Sequence, residues 1–496
     1  MNHMNTTTTA PRRATTRHSP RPTLLTRLAA CAAALLATSA PTSALAQDLE
    51  PKAPPQDKPI AIIGATVHPI TSDPIENAAI IFSDGVIRAI VPASDLDAAI
   101  ADSSLMGPAF SPDALQRIDA TGKHVYPGLI TPWSNLGLTE IGAVAATSDE
   151  SEFGRITPEA CPAIAINPDS TLLPVTRTTG ILIAGVAARG GLLPGQVSAV
   201  RLEGWSPQLM TIRPSCGIVL NWPNTRPVRA WWMDQSEEEQ LAEAKRNLDS
   251  VAAAFDAFDA YARAKRAEPN GPTDLRWEAM LPLIPDYSQT DDARDDVALP
   301  TQRLYIAANT VEQINAAVSF ATARQIRVVI VGGREAPLCA PLLKQFDIPI
   351  IVLGTHTMPT RDDAPYDDAF TLPKRLNDIG LTWALCSNDD AAHERNLPYQ
   401  AATAIKFGTP HDAALKAVTI NAAKVLGIDD RYGSLEVGKS ATLIITDTTP
   451  LEITSRISAM YLDGRNLSLE TKQTRLAEKY RERYRQTGDI KDDSAK

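Results

Sequence analysis

The sequence predicts an α/β protein, an eight-stranded barrel with a small accessory β-domain. Eight runs of continuous Val, Ile and Leu, at residues 125–131, 180–187, 197–202, 217–220, 303–308, 328–332, 349–353 and 382–387, read as buried parallel strands, because strands covered on both faces do not alternate. Helical patterns follow them in the back half, at residues 311–324, 337–346 and 372–378. Residues 122–137, GKHVYPGLITPWSNLG, end an apolar run in Pro-Gly-Leu-Ile, as a strand delivering its last residues to a barrel mouth would. A chain of 496 residues suits a barrel plus an accessory domain.

Residues 1–46 read as an export signal. Arg12, Arg13, Arg17, Arg21 and Arg27 precede or open the apolar run 28–37, and Ala44-Leu45-Ala46 offers the small residues a signal peptidase reads. Cleavage near Ala46 would deliver the protein to the periplasm or the medium. The run is too short to cross a bilayer, so no membrane span is expected. Without it, 43 basic side chains face 58 acidic ones, a net of −15 that repels nucleic acid and anionic lipid. The remaining cysteines, Cys161, Cys216, Cys339 and Cys386, match no zinc spacing and read as small buried residues.

Residues 47–58 are rich in Pro and charge and read as a tether. Residues 60–67, 78–82 and 86–91 are short β-branched runs joined by turns, of which Asp84-Gly85 is the sharpest, so residues 59–124 read as an antiparallel meander. Residues 93–116 break this pattern and read as a loop with a helical piece. Only ARGGLLPGQ separates the second and third barrel candidates, too short for a crossover helix, so a hairpin or a place outside the barrel is expected there. Residues 236–267 form a long helix opened by a capping box of Ser236 and Glu239, read as an outer helix on the barrel wall. Residues 410–426 read as one helix ending at Gly427. A last helix, within 467–496, carries Leu469, Leu476, Tyr480 and Tyr484 on one stripe, to be packed on the body or a second subunit.

Two passages carry a resemblance. The PGLIT of residues 127–131, followed by Trp133 and Asn135, is similar to the opening strand of the amidohydrolase superfamily, where Pro-Gly-Leu-Ile-Asp precedes His-x-His. The YGSLEVGKSATLIITD of residues 432–447 resembles that superfamily's closing signature, with Thr442 at the usual Asp position. The chain is thus similar to the imidazolonepropionase-like, composite-domain metal-dependent hydrolases. The resemblance implies a (β/α)8 TIM-like barrel, residues 125–426, inserted into a composite β-sandwich made from residues 59–124 and 427–466. It also implies hydrolysis of non-peptide carbon–nitrogen bonds in small molecules.

The metal ligands that the resemblance implies are replaced. Thr131 stands at the Asp position, Trp133 and Asn135 at the two histidines, Ala307, Ala308 and Asn309 at the end of the fifth strand, and Gly332 and Gly333 at the end of the sixth. The exported chain holds only His68, His124, His356, His393 and His411, with no pair at His-x-His or His-x-x-x-His spacing. Asp389 matches the superfamily's last-strand aspartate, with Asp390 one residue on, and His356 after the seventh strand is the histidine placed to join it in acid–base work. Trp133, Asn135, Asn309 and Asp390 are the expected contacts to a small-molecule ligand, since an indole and amides recognise rings and peptide-like groups.

Three functions follow. The first is a metal-free binding module with no cofactor. The second is a working hydrolase using Asp389 and His356, with a divalent metal such as zinc held by other ligands. The third is an inactive subunit of a homo- or hetero-oligomer with an active paralogue.

Overall fold

The computed structural model describes residues 52–102, 114–228, 233–285, 300–359, 361, 363–388 and 390–489. The expected signal, residues 1–46, lies outside them. In chain order come β1 Ile60–Val67, β2 Ile75–Ser83, β3 Val86–Pro92, β4 Gln116–Asp119 and β5 His124–Pro127. Eight barrel strands follow: β6 Leu129–Ser134, β7 Ile181–Ala187, β8 Gly195–Arg201, β9 Thr211–Asn221, β10 Arg303–Ala308, β11 Val328–Gly332, β12 Ile350–Leu353 and β13 Trp383–Cys386. The chain closes with β14 Leu443–Thr446, β15 Ile457–Leu462 and β16 Arg465–Leu467.

The two ends of the chain build one small sheet, in the order β16-β15-β14-β5-β1-β2-β3, with β4 also on β1. Antiparallel β5 and β14 join them, Tyr126 opposite Ile444 and His124 opposite Thr446. The pairing buries Val125, Leu443 and Ile445 with Ile62, Ile80 and Phe82, a core too spread in sequence for either end to form alone. The hairpin turn at Asp84-Gly85 has both residues left-handed (φ 52° and 75°), as a two-residue connection between twisted strands requires.

The run expected as one barrel strand, residues 125–131, is divided. Residues 124–127 belong to the small sheet and residues 129–134 to the barrel. Gly128 makes the passage, because a Cβ there would lie 2.7 Å from the Leu182 side chain. Thr442, at the place of the closing signature's usual Asp, is buried: its Oγ1 pairs with Ser440 Oγ at 2.7 Å and accepts from the Asp463 amide. Arg201 at the end of β8 donates to the Asp463 carboxylate and to Tyr432 (3.0 Å), so this network fastens barrel to small sheet.

All eight expected barrel strands, the second and third included, lie in one sheet ordered β6 through β13, and β13 comes alongside β6, so the barrel is nearly closed. The third strand is reversed: β8 is antiparallel to β7 and β9, and the other pairs are parallel. Seven residues between β7 and β8 suffice for a hairpin and not for a crossover. Inward side chains include Ile130, Ile183, Val197, Val219, Tyr305, Val329, Ile351 and Ala384, while their neighbours Leu182, Leu304, Ile330 and Leu385 face the helices. The long helix Glu237–Ala267 carries the expected capping box and packs Phe255 on Phe320 of helix Val311–Thr322. The C-terminal helix Lys472–Thr487 buries no residue and leaves Leu476, Tyr480 and Tyr484 partly exposed.

The expected single helix at residues 410–426 is two, His411–Ala417 and Ile420–Leu426. The break lets the second piece turn under the barrel, where Ala422, Val425 and Leu426 plug its N-terminal end and the Val425 carbonyl accepts from the Tyr305 hydroxyl at 2.5 Å. The same break meets the seam between β6 and β13. Among the described residues no strand ladder joins those two; the Ile130 amide donates to Val418 O (2.8 Å) and Asn421 Nδ2 to Trp383 O (2.9 Å).

β6 bulges between Thr131 and Ser134, and Pro132, which has no amide hydrogen to give, sits in the bulge. Its carbonyl leaves no room beside β7, since a Cβ on Gly185 would lie 2.3 Å from Pro132 O. Gly185→Ala is therefore expected to destabilise the fold by about 1–3 kcal/mol, read as a lowered midpoint of chemical denaturation with unchanged slope.

Candidate functional site

The mouth is the end where β6, β7 and β9 to β13 finish and where reversed β8 begins. The Trp133 ring turns inward and packs against Tyr305, ring centres 6.2 Å apart, in the cluster that also takes in Leu353 and Cys386. Asn135, two residues on, is buried and engaged elsewhere: Nδ2 donates to Glu150 Oε2 at 2.9 Å, and Oδ1 has no hydrogen-bond partner. Glu150 also draws Arg189, whose guanidinium lies 3.7 Å away and whose amide donates to the Glu150 carbonyl. The β7–β8 loop is held further by the Leu192 amide on Arg155 O (2.8 Å) and by Asn221 Nδ2 on Gly191 O (3.0 Å). Residues 150–160 thus fold with this loop across one side of the opening.

Asn309 is exposed at the end of β10, lying over Gly332, where a Cβ would meet its Oδ1 at 2.4 Å. His356 is exposed beyond β12, with Nε2 2.7 Å from Thr403 Oγ1 and its amide on Gln400 Oε1. Asp390 caps the 3-10 turn Ala391–Asn396 by accepting from the His393 amide, and its Oδ1 lies 3.0 Å from His393 Nδ1. Asp389 lies outside the described residues.

That 3-10 turn carries a residue the sequence reading missed. Glu394 is buried and accepts a 2.6 Å hydrogen bond from Thr131 Oγ1 of β6 at Oε1, while Oε2 has no hydrogen-bond partner. Burial drives its pKa above the ordinary 4.5, and the hydroxyls of Thr131, Ser387 and Ser134 only partly offset that. The same environment pushes the Cys386 thiol well up, so it carries no thiolate for nucleophilic work. The one signal for Glu394 in the sequence is a carboxylate five residues past Asp389, indistinguishable from a surface residue of the next helix. Arg189 was legible only as the residue before a Gly-Gly loop.

The profile of the amidohydrolase family matches residues 305–471. The chain carries a domain of the amidohydrolase superfamily. It is 33% identical over 120 residues to an imidazolonepropionase of Flavobacterium johnsoniae, a match covering 23% of this chain and 28% of that protein. It is 31% identical over 91 residues to the amidohydrolase tasK of Hapsidospora irregularis, 18% of this chain and 9% of the relative. The match therefore spans less than a third of the length of either curated relative. An amidohydrolase from Thermotoga maritima shares the fold, with a TM-score of 0.67 at 22% identity over 82% of this chain and 99% of that one.

Amidohydrolases ordinarily use metal, so the donor set of this one is the test. The positions where imidazoles and a carboxylate would converge hold a hydroxyl bonded to Glu394, an indole packed on Tyr305 and an amide bonded to Glu150. Among the described residues no cluster of three or more His, Cys, Asp or Glu could hold an ion. Thr131, Trp133 and Asn135 do not supply the donor set of a metal centre.

Glu394 makes a pH prediction with a definite sign. A carboxyl whose folded pKa is raised stabilises fully below its unfolded value near 4.5 and loses that contribution as pH rises through the folded pKa. Glutamine does not titrate, so the melting temperature of Glu394→Gln minus that of the parent should grow as pH is raised above about 4.5. Glu394→Ala, which leaves a cavity and orphans Thr131, should cost about 2–4 kcal/mol at neutral pH by chemical denaturation.

Proposed function

We propose that this protein is an exported, metal-free amidohydrolase-superfamily member that binds a small molecule at the barrel mouth. Superfamily membership supports a hydrolase scaffold with a substrate opening at this end. One observation carries the reading further: the Trp133 indole occupies the inner layer of the barrel against Tyr305, where the resemblance puts the first metal-binding imidazole. An indole offers one N–H donor and no lone pair to a cation, so the position favours a ring over an ion. Leu353 and Cys386 belong to the same inward-facing apolar cluster, and Asn309 and Arg189, which follow β10 and β7, are polar residues at the mouth end. An apolar floor with a few polar rim groups is the composition of a recognition pocket. The ligand class that fits is a small ring-bearing molecule with an amide or anionic substituent.

Metal analysis tests this directly. After dialysis the purified protein should hold less than about a tenth of an equivalent of zinc, manganese or iron, and a chelator should leave its melting temperature unchanged. About one equivalent retained, or amide hydrolysis abolished by the chelator, would overturn the reading in favour of an active hydrolase.

The Arg-rich and apolar order of residues 1–46 supports export to the periplasm or medium. No described helix is long and apolar enough to cross a membrane. Sequencing the N-terminus of protein recovered from its native host should begin at Gln47; an intact Met1 would remove the export assignment.

A further inference from the structure

On the face opposite the mouth, the N-terminal ends of β10 to β13 border a cleft of about 770 Å³, the size range of small-molecule sites. Arg303 of β10, Arg327 ahead of β11 and Lys424 on the plugging helix line it, opposed by Asp347 and Asp429. Phe346 and Val425 add apolar surface.

The cations here are not neutralised in the usual way. Arg327 donates to a carbonyl, Pro300 O, at 3.3 Å, and nearby Arg213 donates to the carbonyls of Gly427 (2.9 Å) and Thr301. Backbone carbonyls satisfy donors but leave the charge in place. Arg303 has less still: the described residues give its guanidinium no hydrogen bond and no ion pair, and Asp429 acts on it only through its charge at longer range. Desolvation lowers its pKa, and Arg327 and Arg213 repel it further. An arginine serving only stability at a strand end would be expected to meet a carboxylate or carbonyl, since a buried donor left unmade is costly. Arg303 instead lines an open cleft, where a guanidinium fork suits a bidentate oxyanion.

We infer that this cleft binds a small organic anion, its carboxylate or phosphate head held by Arg303, Arg327 and Lys424 and its apolar body resting on Phe346 and Val425. The site lies at the opposite ends of the strands from the mouth and does not depend on what the mouth binds.

The test is calorimetric titration of the full chain with phenyl phosphate, benzoate and, for the head alone, inorganic phosphate. At least one organic anion should bind saturably, more tightly than inorganic phosphate and more weakly as salt is raised. Arg303→Met and Lys424→Met should each weaken that binding by about tenfold or more, while Asp429→Asn, which removes an opposing carboxylate, should strengthen it. Lys424 is exposed, so its variant carries the test should Arg303→Met fail to fold. Phenyl phosphate against benzoate distinguishes the two head groups. Absence of saturable binding by both organic anions, or unchanged affinity in the folded Arg303 and Lys424 variants, would overturn the assignment.

Discussion

Everything in this barrel depends on closing the seam between β6 and β13. A sheet of eight strands leaves two edges of backbone amides and carbonyls, and a buried edge must find partners or lose the free energy of each group left unmade. Here the partners come from outside the sheet. The helix break at Val418–Thr419 supplies the Val418 carbonyl to Ile130, and Asn421 in the helix after it donates its side-chain amide to the Trp383 carbonyl, at one end of the seam. Toward the mouth, Glu394 reaches from the turn after β13 to Thr131 of β6. One carboxyl and one helix break thus hold the barrel closed.

That closure limits what chemistry the mouth can do. Thr131, at the place of the superfamily's opening-strand Asp, serves as a hydrogen-bond donor to a carboxyl that burial keeps toward its protonated form. Trp133 fills the inner layer, and Asn135 is committed to Glu150 and the loop over the opening. The side chains at the positions of the expected ligands are therefore engaged in packing and loop closure.

Much of the architecture was legible because it rests on local chemistry. Continuous Val, Ile and Leu marked all eight barrel strands, the Ser236–Glu239 capping box marked the long helix, and Asp84-Gly85 marked the first hairpin. The same locality misled at two points. An unbroken apolar run from Val125 to Thr131 hides a change of sheet at Gly128, because both sheets bury their strands and leave the same signal. The helical spacing of residues 410–426 hides a break whose cause, the unsatisfied seam, lies nearly three hundred residues earlier. Glu394 was invisible for a related reason: a glutamate is a surface residue by default, and only the approach of β6 buries it.

The sequence by itself determined the class of fold and the places of the eight barrel strands, which follow from side-chain type and period. Tertiary structure alone decided the pairing of β5 with β14, the burial of Glu394 and the lack of a hydrogen-bonded partner for Arg303 among the described residues, and it chose the hairpin, with β8 reversed inside the barrel, from the two courses the short β7–β8 connection left open. The division has one physical origin: periodicity reports which face of an element avoids water, but burial, charge compensation and strand direction depend on what arrives from elsewhere in the chain.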